Sequence, residues 1–154
     1  MTTENMIAKA VPIARQVKAL LSGFAAPVLD LSIRIWIGLV FFRSGLLKAQ
    51  DWESTVFLFR DEYHLPILPP EVAAALGMTA EIAMPVFLFI GLAARLAAVP
   101  LILMTCVIQF VLGATMPDYD STEHFYWLFL LSMIIVRGPG TLSLDHLIAK
   151  RFAV

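Results

Sequence analysis

The sequence predicts an all-α integral membrane protein, a four-helix bundle with amphipathic interfacial segments. Two observations carry that prediction. Of the 154 residues, 60% are hydrophobic and 15% charged, against roughly a quarter charged in soluble domains, and the mean hydropathy is +0.84. The apolar residues also gather into stretches long enough, at about 1.5 Å per helical residue, to cross a bilayer core of about 30 Å.

The first such stretch is Val28 to Lys48. Asp30, Arg34, Gly38, Phe41, Gly45 and Lys48 step along it by four, four, three, four and three residues, so on a helix they share one face. Charges inside a spanning helix are costly and turn toward partners in the protein interior. Before it, residues 1–27 place Ile7, Val11, Ala14, Val17 and Leu21 at helical spacing among Lys9, Arg15 and Lys18. This predicts an amphipathic surface tail, retained rather than cleaved because the charges interrupt any long apolar core. Pro27 is the expected start of the first span.

After Lys48, Trp52, Val56, Phe59 and Tyr63 recur at four, three and four residues and predict an interfacial helix with an aromatic edge. His64, Pro66, Pro69 and Pro70 end it. The second span is expected at about 71–92, with Glu81 near its centre and Pro85 four residues on. Proline has no amide hydrogen, so the Glu81 carbonyl loses its helical partner. The short link Gly91 to Arg95 forces an antiparallel return, and the third span, about 96–115, holds one strongly polar side chain, Gln109. An acidic loop, Met116 to His124, precedes a short fourth span at about 124–136. The membrane domain is therefore 28–137, and 138–154 forms a second tail with Leu144, Leu147 and Ile148 opposite Asp145, Lys150 and Arg151.

Four spans put both termini on one side. The tails and the short link carry Lys9, Arg15, Lys18, Arg95, Arg137, Lys150 and Arg151, whereas the other two loops carry only Lys48 and Arg60. The positive-inside rule then places both termini in the cytoplasm of a bacterial-type inner membrane. The partner this implies first is the lipid bilayer. Basic residues are dispersed along a chain of net charge −1, which gives nucleic acid no footprint.

Depth suggests how the buried charges pair. Arg34 lies about six residues, or roughly 9 Å, into the first span, and Glu81 roughly 16 Å from the same side, a gap that an arginine side chain can bridge. Asp30 and Arg95 meet near the cytoplasmic boundary and form a second expected pair. Arg43 is nine residues from Arg34, about half a turn off the charged face, at a depth resembling that of Gln109. These two are candidates for an outer pocket.

The run R-I-W-I-G-L-V-F-F-R-S-G-L-L-K at 34–48, the loop ending H-L-P-I-L-P-P at 64–70, and E-I-A-M-P-V-F-L-F-I-G-L-A-A-R at 81–95 come before a last Trp-containing span and G-P-G-x-x-S-L-D. In this order they resemble the DoxX family of small four-helix membrane proteins, over about residues 28–146. Arg34, Gly45, Lys48, Glu81, Gly91 and Arg95 match the family pattern. The resemblance implies an inner-membrane protein associated with quinone-linked oxidation, as in thiosulfate:quinone oxidoreduction, or with membrane oxidoreductase assemblies.

A quinone would suit the residues, since its carbonyls want cationic or hydrogen-bonding groups such as Arg34, Arg43, Gln109 or a protonated Glu81. No paired histidines within the spans offer a haem clamp, and the lone Cys106 gives neither an internal disulfide nor a CxxC motif. His64 and His124 on the outer side, with Met116, Asp118 and Asp120 nearby, are the metal candidates, although they lack a recognised ligand spacing. With no electron carrier evident in the chain, a partner protein holding the redox centre is a second expected partner. Two classes remain open. One is a quinone-binding membrane subunit of an oxidoreductase, anchored on Arg34 and Glu81. The other is a non-catalytic scaffold or small-solute permeation component, with homo-oligomerisation, in which the same charges and Gly38 and Gly45 fix helix packing.

Overall fold

A computed structural model describes residues 3–63 and 68–152, and every regular element among them is helical. The elements are α1 (Thr3–Leu20), α2 (Ala26–Gln50), α3 (Trp52–Phe57), α4 (Pro70–Ile90), α5 (Ala94–Cys106), α6 (Thr122–Arg137) and α7 (Leu144–Phe152). Three helical stretches are long and apolar enough to cross a membrane: Val11–Gln50, Pro70–Ile90 and Ala94–Leu112. At 16 residues α6 is shorter, and it packs on α5 and α2.

The first helix is longer than the sequence predicts. A wide π-helical turn, Leu21–Ala25, joins α1 to α2 without a break, so Val11–Gln50 forms one helix of 40 residues. That is about 60 Å at 1.5 Å per residue, twice a bilayer core. The Ala26 N–H bonds to the Leu21 carbonyl, five residues back. The hydrogen-bond ladder thus shifts register just before Pro27, which has no N–H to contribute. Proline in the first turn of α2 interrupts nothing.

α2 and α4 lie antiparallel and form the closest seam of the molecule. Two glycines of α2 make that approach possible. A Cβ at Gly38 would strike the ring of Phe89, and one at Gly45 would lie 2.8 Å from Ile82 Cγ1 and 2.9 Å from Glu81 Cβ. Seven residues along α2 thus match seven or eight residues back along α4, as two antiparallel helices of equal rise require. Around the seam Ile37, Phe41, Leu88, Ala94, Ala97, Ala98, Leu101, Leu131 and Ile134 form the main core. Small residues from α5 let helix axes approach closely, as is usual where lipid supplies no hydrophobic drive between helices.

The α4–α5 link is tied down from the far end of the chain. α4 ends on Gly91 at φ 67°, a left-handed C-terminal cap of the kind glycine favours. The Asp145 carboxylate then accepts from the Ala93 N–H at 2.8 Å and the Ala94 N–H at 3.2 Å, closing the N-terminus of α5, while the Asp145 N–H donates to the Gly91 carbonyl at 2.9 Å. The tail after α6 is thereby part of the fold.

At Gly45 an added methyl has nowhere to go, whereas at Gly23 nothing lies within 4 Å of the added Cβ. Gly45→Ala is expected to destabilise the protein by about 1–3 kcal/mol through overpacking. Gly23→Ala should be neutral or stabilising by up to about 1 kcal/mol. Equilibrium unfolding of the two variants in mixed micelles separates them, and equal midpoints would contradict the seam.

Candidate functional site

The charged face of α2 turns inward, with Arg34, Gly38, Phe41 and Gly45 all buried. Of its two cations, Arg34 serves the C-terminal end of α4 and Lys48 its middle. Arg34 is 1% exposed. Its Nη1 donates to the Leu88 carbonyl at 2.9 Å and the Phe89 carbonyl at 3.4 Å, and its Nη2 donates to the Leu142 carbonyl. Leu88 and Phe89 belong to the last turn of α4, where carbonyls lack helical partners and the helix dipole favours a cation. Arg34 therefore closes α4 and binds the loop before α7 to it.

Lys48 sits at the other end of the seam. Its Nζ donates to Ser44 Oγ at 2.8 Å and to Glu81 Oε2 at 2.7 Å. Glu81 is almost fully buried, and the Lys48 side chain retains 16% exposure. Gly45 makes the pair reachable by bringing the α2 backbone against the base of the Glu81 side chain.

The ion pair forms part of the wall of an otherwise apolar cavity of about 280 Å³, bounded by α2, the segment after α3, α4 and α5. Phe59 and Tyr63 cover it, and Gly77 opens space on the α4 side. Leu76, Leu103 and Val107 also line it and are exposed on the apolar outer surface, so the cavity opens sideways toward lipid. This corrects the interfacial reading of the aromatic edge. Of its four residues Val56 and Phe59 are buried and Tyr63 half-buried, packing on Ala73 and Ala74 of α4. Trp52 alone is exposed.

Beyond this cover lies a hydrogen-bonded outer layer. Tyr63 and Tyr119 meet edge to face at 5.7 Å, and the Tyr119 hydroxyl donates to Glu62 at 2.5 Å. Burial pushes both phenols above the ordinary tyrosine range, and for Tyr119 the Glu62 carboxylate adds to the effect. Gln109 belongs to this layer rather than to the cavity. Its Nε2 donates to Asp120 at 2.5 Å, and its Oε1 accepts from the Ser121 N–H at 3.3 Å. A carboxylate only accepts and an amide N–H only donates, so the orientation of the Gln109 amide is determined. His124 Nδ1, 2.7 Å from that same Oε1, must then be the protonated nitrogen.

The four expected ligand residues are thus dispersed. Glu81 lines the cavity, Arg34 is committed to backbone carbonyls, Gln109 braces the outer loop, and Arg43 is exposed on α2. Both expected ion pairs are corrected. Glu81 pairs with Lys48 instead of Arg34, and Asp30 pairs with Arg137 at 3.3 Å instead of Arg95. The reason is register. Aligning the start of α2 with the end of α4 placed Arg34 level with residue 86, but the glycine contacts slide α2 by six or seven residues, roughly 10 Å. Arg34 then reaches the end of α4, and Lys48 comes within one turn of Glu81, close enough for its side chain to reach the carboxylate. Of the metal candidates, His64 lies outside the described residues. No cluster of three potential ligands forms among the described residues around His124. Phe59 and Tyr63 are legible in the sequence only as an aromatic edge, because they meet the cavity across the connection between α3 and α4, whereas Gly77, one turn before Glu81 on the same helix, carries no chemistry that marks it. Lys48 was visible as the last residue of the charged face.

The DoxX family profile matches residues 29–114, more than half of the chain and all but the first turn of the α2–α4–α5 unit that builds the cavity. The chain belongs to the DoxX family. Among curated relatives, a putative oxidoreductase CatD of Bacillus subtilis is 33% identical over 123 residues, covering 78% of this chain and 87% of the relative. An uncharacterized protein of Haemophilus influenzae is 29% identical over 139 residues, covering 84% and 89%. No solved structure gives a significant match. With three helices able to cross a bilayer, this DoxX protein is a membrane protein.

Removing one member of the Lys48–Glu81 pair leaves the other buried and uncompensated, which typically costs about 3–5 kcal/mol, whereas replacing both with apolar residues is often neutral. Lys48→Met is expected to lower the thermal midpoint sharply, and adding Glu81→Met should restore most of it. A double variant no better than the single would remove the ion pair from its structural role. The tyrosine layer has an alkaline signature. Phenols whose folded values are raised contribute stability below the unfolded value of about 10 and lose it as pH rises beyond. Tyr119→Phe should flatten the loss of stability above that pH in melts followed by circular dichroism.

Proposed function

We propose that this DoxX protein is the membrane subunit of a quinone-linked oxidoreductase system, holding the quinone ring in the cavity beside Lys48 and Glu81. The observation that carries the reading is a buried ion pair in the wall of an otherwise apolar cavity that opens to lipid. Small-molecule sites of this kind combine apolar walls with few oriented polar groups. About 280 Å³ suits a substituted ring, with an isoprenoid tail leaving between Leu76 and Leu103. Lys48 would donate to one ring oxygen, and Glu81 would hold the lysine in place and, when protonated, donate in turn. Tyr63 and Phe59 would keep water from the ring. A bound quinone would supply two-electron redox chemistry that the side chains lack, and the partner protein would carry the electrons onward. The name of the Bacillus subtilis relative is consistent with this reading.

In this reading α6 crosses the inner membrane as the fourth span, its 16 residues reaching about 24 Å and the bilayer thinning to meet them. Ser22 and His146 line one groove, so the two tails lie together, and the distribution of basic residues favours the cytoplasm for both.

The test is extraction of quinones from protein purified in native-lipid nanodiscs, comparing the unmodified chain with Gly77→Leu. A side chain at residue 77 would be directed toward Phe59 and Met104 and would fill the cavity without altering its charges. The expected result is quinone co-purifying with the unmodified protein and lost from a folded Gly77→Leu variant. Folded protein that retains no quinone, or a variant that retains as much, would return the chain to the scaffold reading.

A further inference from the structure

A groove of about 460 Å³, separate from the apolar cavity, lies at the end where the two tails meet. Five segments build it: the turn into α2, Asp30 on α2, Arg95 on α5, Arg137 with the following Gly138–Thr141 loop, and Asp145 with His146 on α7. Its charges are unevenly committed. Both Asp145 oxygens accept from the α5 amides, and Asp30 faces Arg137. Arg95 forms no salt bridge among the described residues. Arg137 makes one 3.3 Å contact and keeps its side chain 51% exposed, which leaves guanidinium donors over. Thr141 and His146 are exposed beside them.

The loop is shaped to hold this arrangement. Gly138 has φ 85°, and a Cβ there would lie 3.0 Å from Arg95 Nη2 and 3.2 Å from its Nε. The guanidinium therefore rests on bare backbone, in a conformation that residues other than glycine rarely adopt. Gly140, at φ 79°, gives way in the same manner to Asp30, which a Cβ would approach to 2.8 Å. Two glycines in the left-handed region thus position Asp30 and, opposite it, an arginine that forms no salt bridge among the described residues.

We propose that this groove binds a phosphate-bearing anion, with Arg95 and Arg137 as its cationic ligands and Thr141 and His146 as further donors. The donors in excess are those that match phosphate oxygens, and arginine forks do so in bidentate fashion. Residues next to the lining ones in sequence are apolar and open. Leu96 is 73% and Val136 78% exposed, Leu142 is exposed as well, and so is Phe24 between Ser22 and Ala26. A phosphate whose other end is an acyl chain satisfies both features, so the expected source is the headgroup of an anionic phospholipid. A soluble phosphate monoester shares the same recognition chemistry. The site lies at the opposite end of the α2–α4 seam from the Lys48–Glu81 cavity and does not depend on what that cavity holds.

Native mass spectrometry with phosphatidylglycerol and phosphatidylcholine of identical chains tests the proposal, together with thermal unfolding in glycerol 3-phosphate. The unmodified protein is expected to prefer phosphatidylglycerol by about fivefold for each arginine engaged. Arg95→Gln should lose most of that preference. Arg95→Lys should keep part of it, and Lys150→Gln, which removes a cation of α7 outside the groove lining, should keep all of it. Should Arg95→Gln not fold, Thr141→Val with His146→Ala takes its place, because these are exposed side chains that make no hydrogen bond among the described residues; it should lower the preference at unchanged stability. Stabilisation by glycerol 3-phosphate that Arg95→Gln abolishes, without any lipid preference, would identify a soluble source and leave the phosphate site standing. A lipid preference that survives both groove variants, or no response to either probe, would overturn the proposal.

Discussion

The α2–α4 seam is the constraint on which the rest of this structure depends. Two helices crossing a bilayer gain little from hydrophobic burial, because lipid is as apolar as their side chains. Close approach must come from small residues, and register must come from polar contacts. Gly38 and Gly45 provide the first by letting Phe89, Ile82 and Glu81 settle against bare backbone. Lys48 and Arg34 provide the second, one on the Glu81 carboxylate and the other on the carbonyls that end α4. A slip by one turn would leave Glu81 uncompensated and Arg34 facing apolar side chains, so both ends resist it together.

This division of labour explains why the two ends of the molecule differ. At the Arg34 end every element is stitched to another: Arg34 to Leu142, Asp145 to the start of α5, and Asp30 to Arg137. The chain after α6 supplies most of these partners. At the Lys48 end the Lys48–Glu81 pair and a cover of aromatic rings leave space between α4 and α5, beneath the hydrogen-bonded outer layer. A cavity is more easily kept where few elements converge. The carboxylate that secures the seam is also the polar group presented to the cavity, so binding there and helix register share one residue.

Much of the architecture was legible because its signals are local. Helical recurrence, long apolar stretches and the Gly91–Arg95 link establish an all-helical membrane chain, and the paired runs around Arg34 and Glu81 mark it as a DoxX protein. The inward face from Asp30 to Lys48 was also readable, since six residues at helical spacing can only share a side. The continuous first helix was not legible. Pro27 ordinarily marks a helix start, and only the π-helical turn at residues 21–25 shows how the ladder passes it. The aromatic edge after Lys48 was misread for a related reason. An amphipathic pattern states that one face is apolar, not whether that face meets lipid or another helix.

The sequence by itself determined the helices, the charged face of α2 and the family, because each follows from residues within a turn or two of one another. Only the tertiary structure decided which charge meets which. Pairing across the seam depends on an offset of six or seven residues between helices whose ends are unmarked, and the glycine contacts that set it join positions about forty to fifty apart in the chain. The same holds for both concave sites. The apolar cavity and the groove beside Gly138 are each assembled from elements that touch only after the bundle has formed. The charged face of Val28–Lys48 therefore holds the α2–α4 seam at both ends, and its last residue, Lys48, carries the polar edge of the cavity.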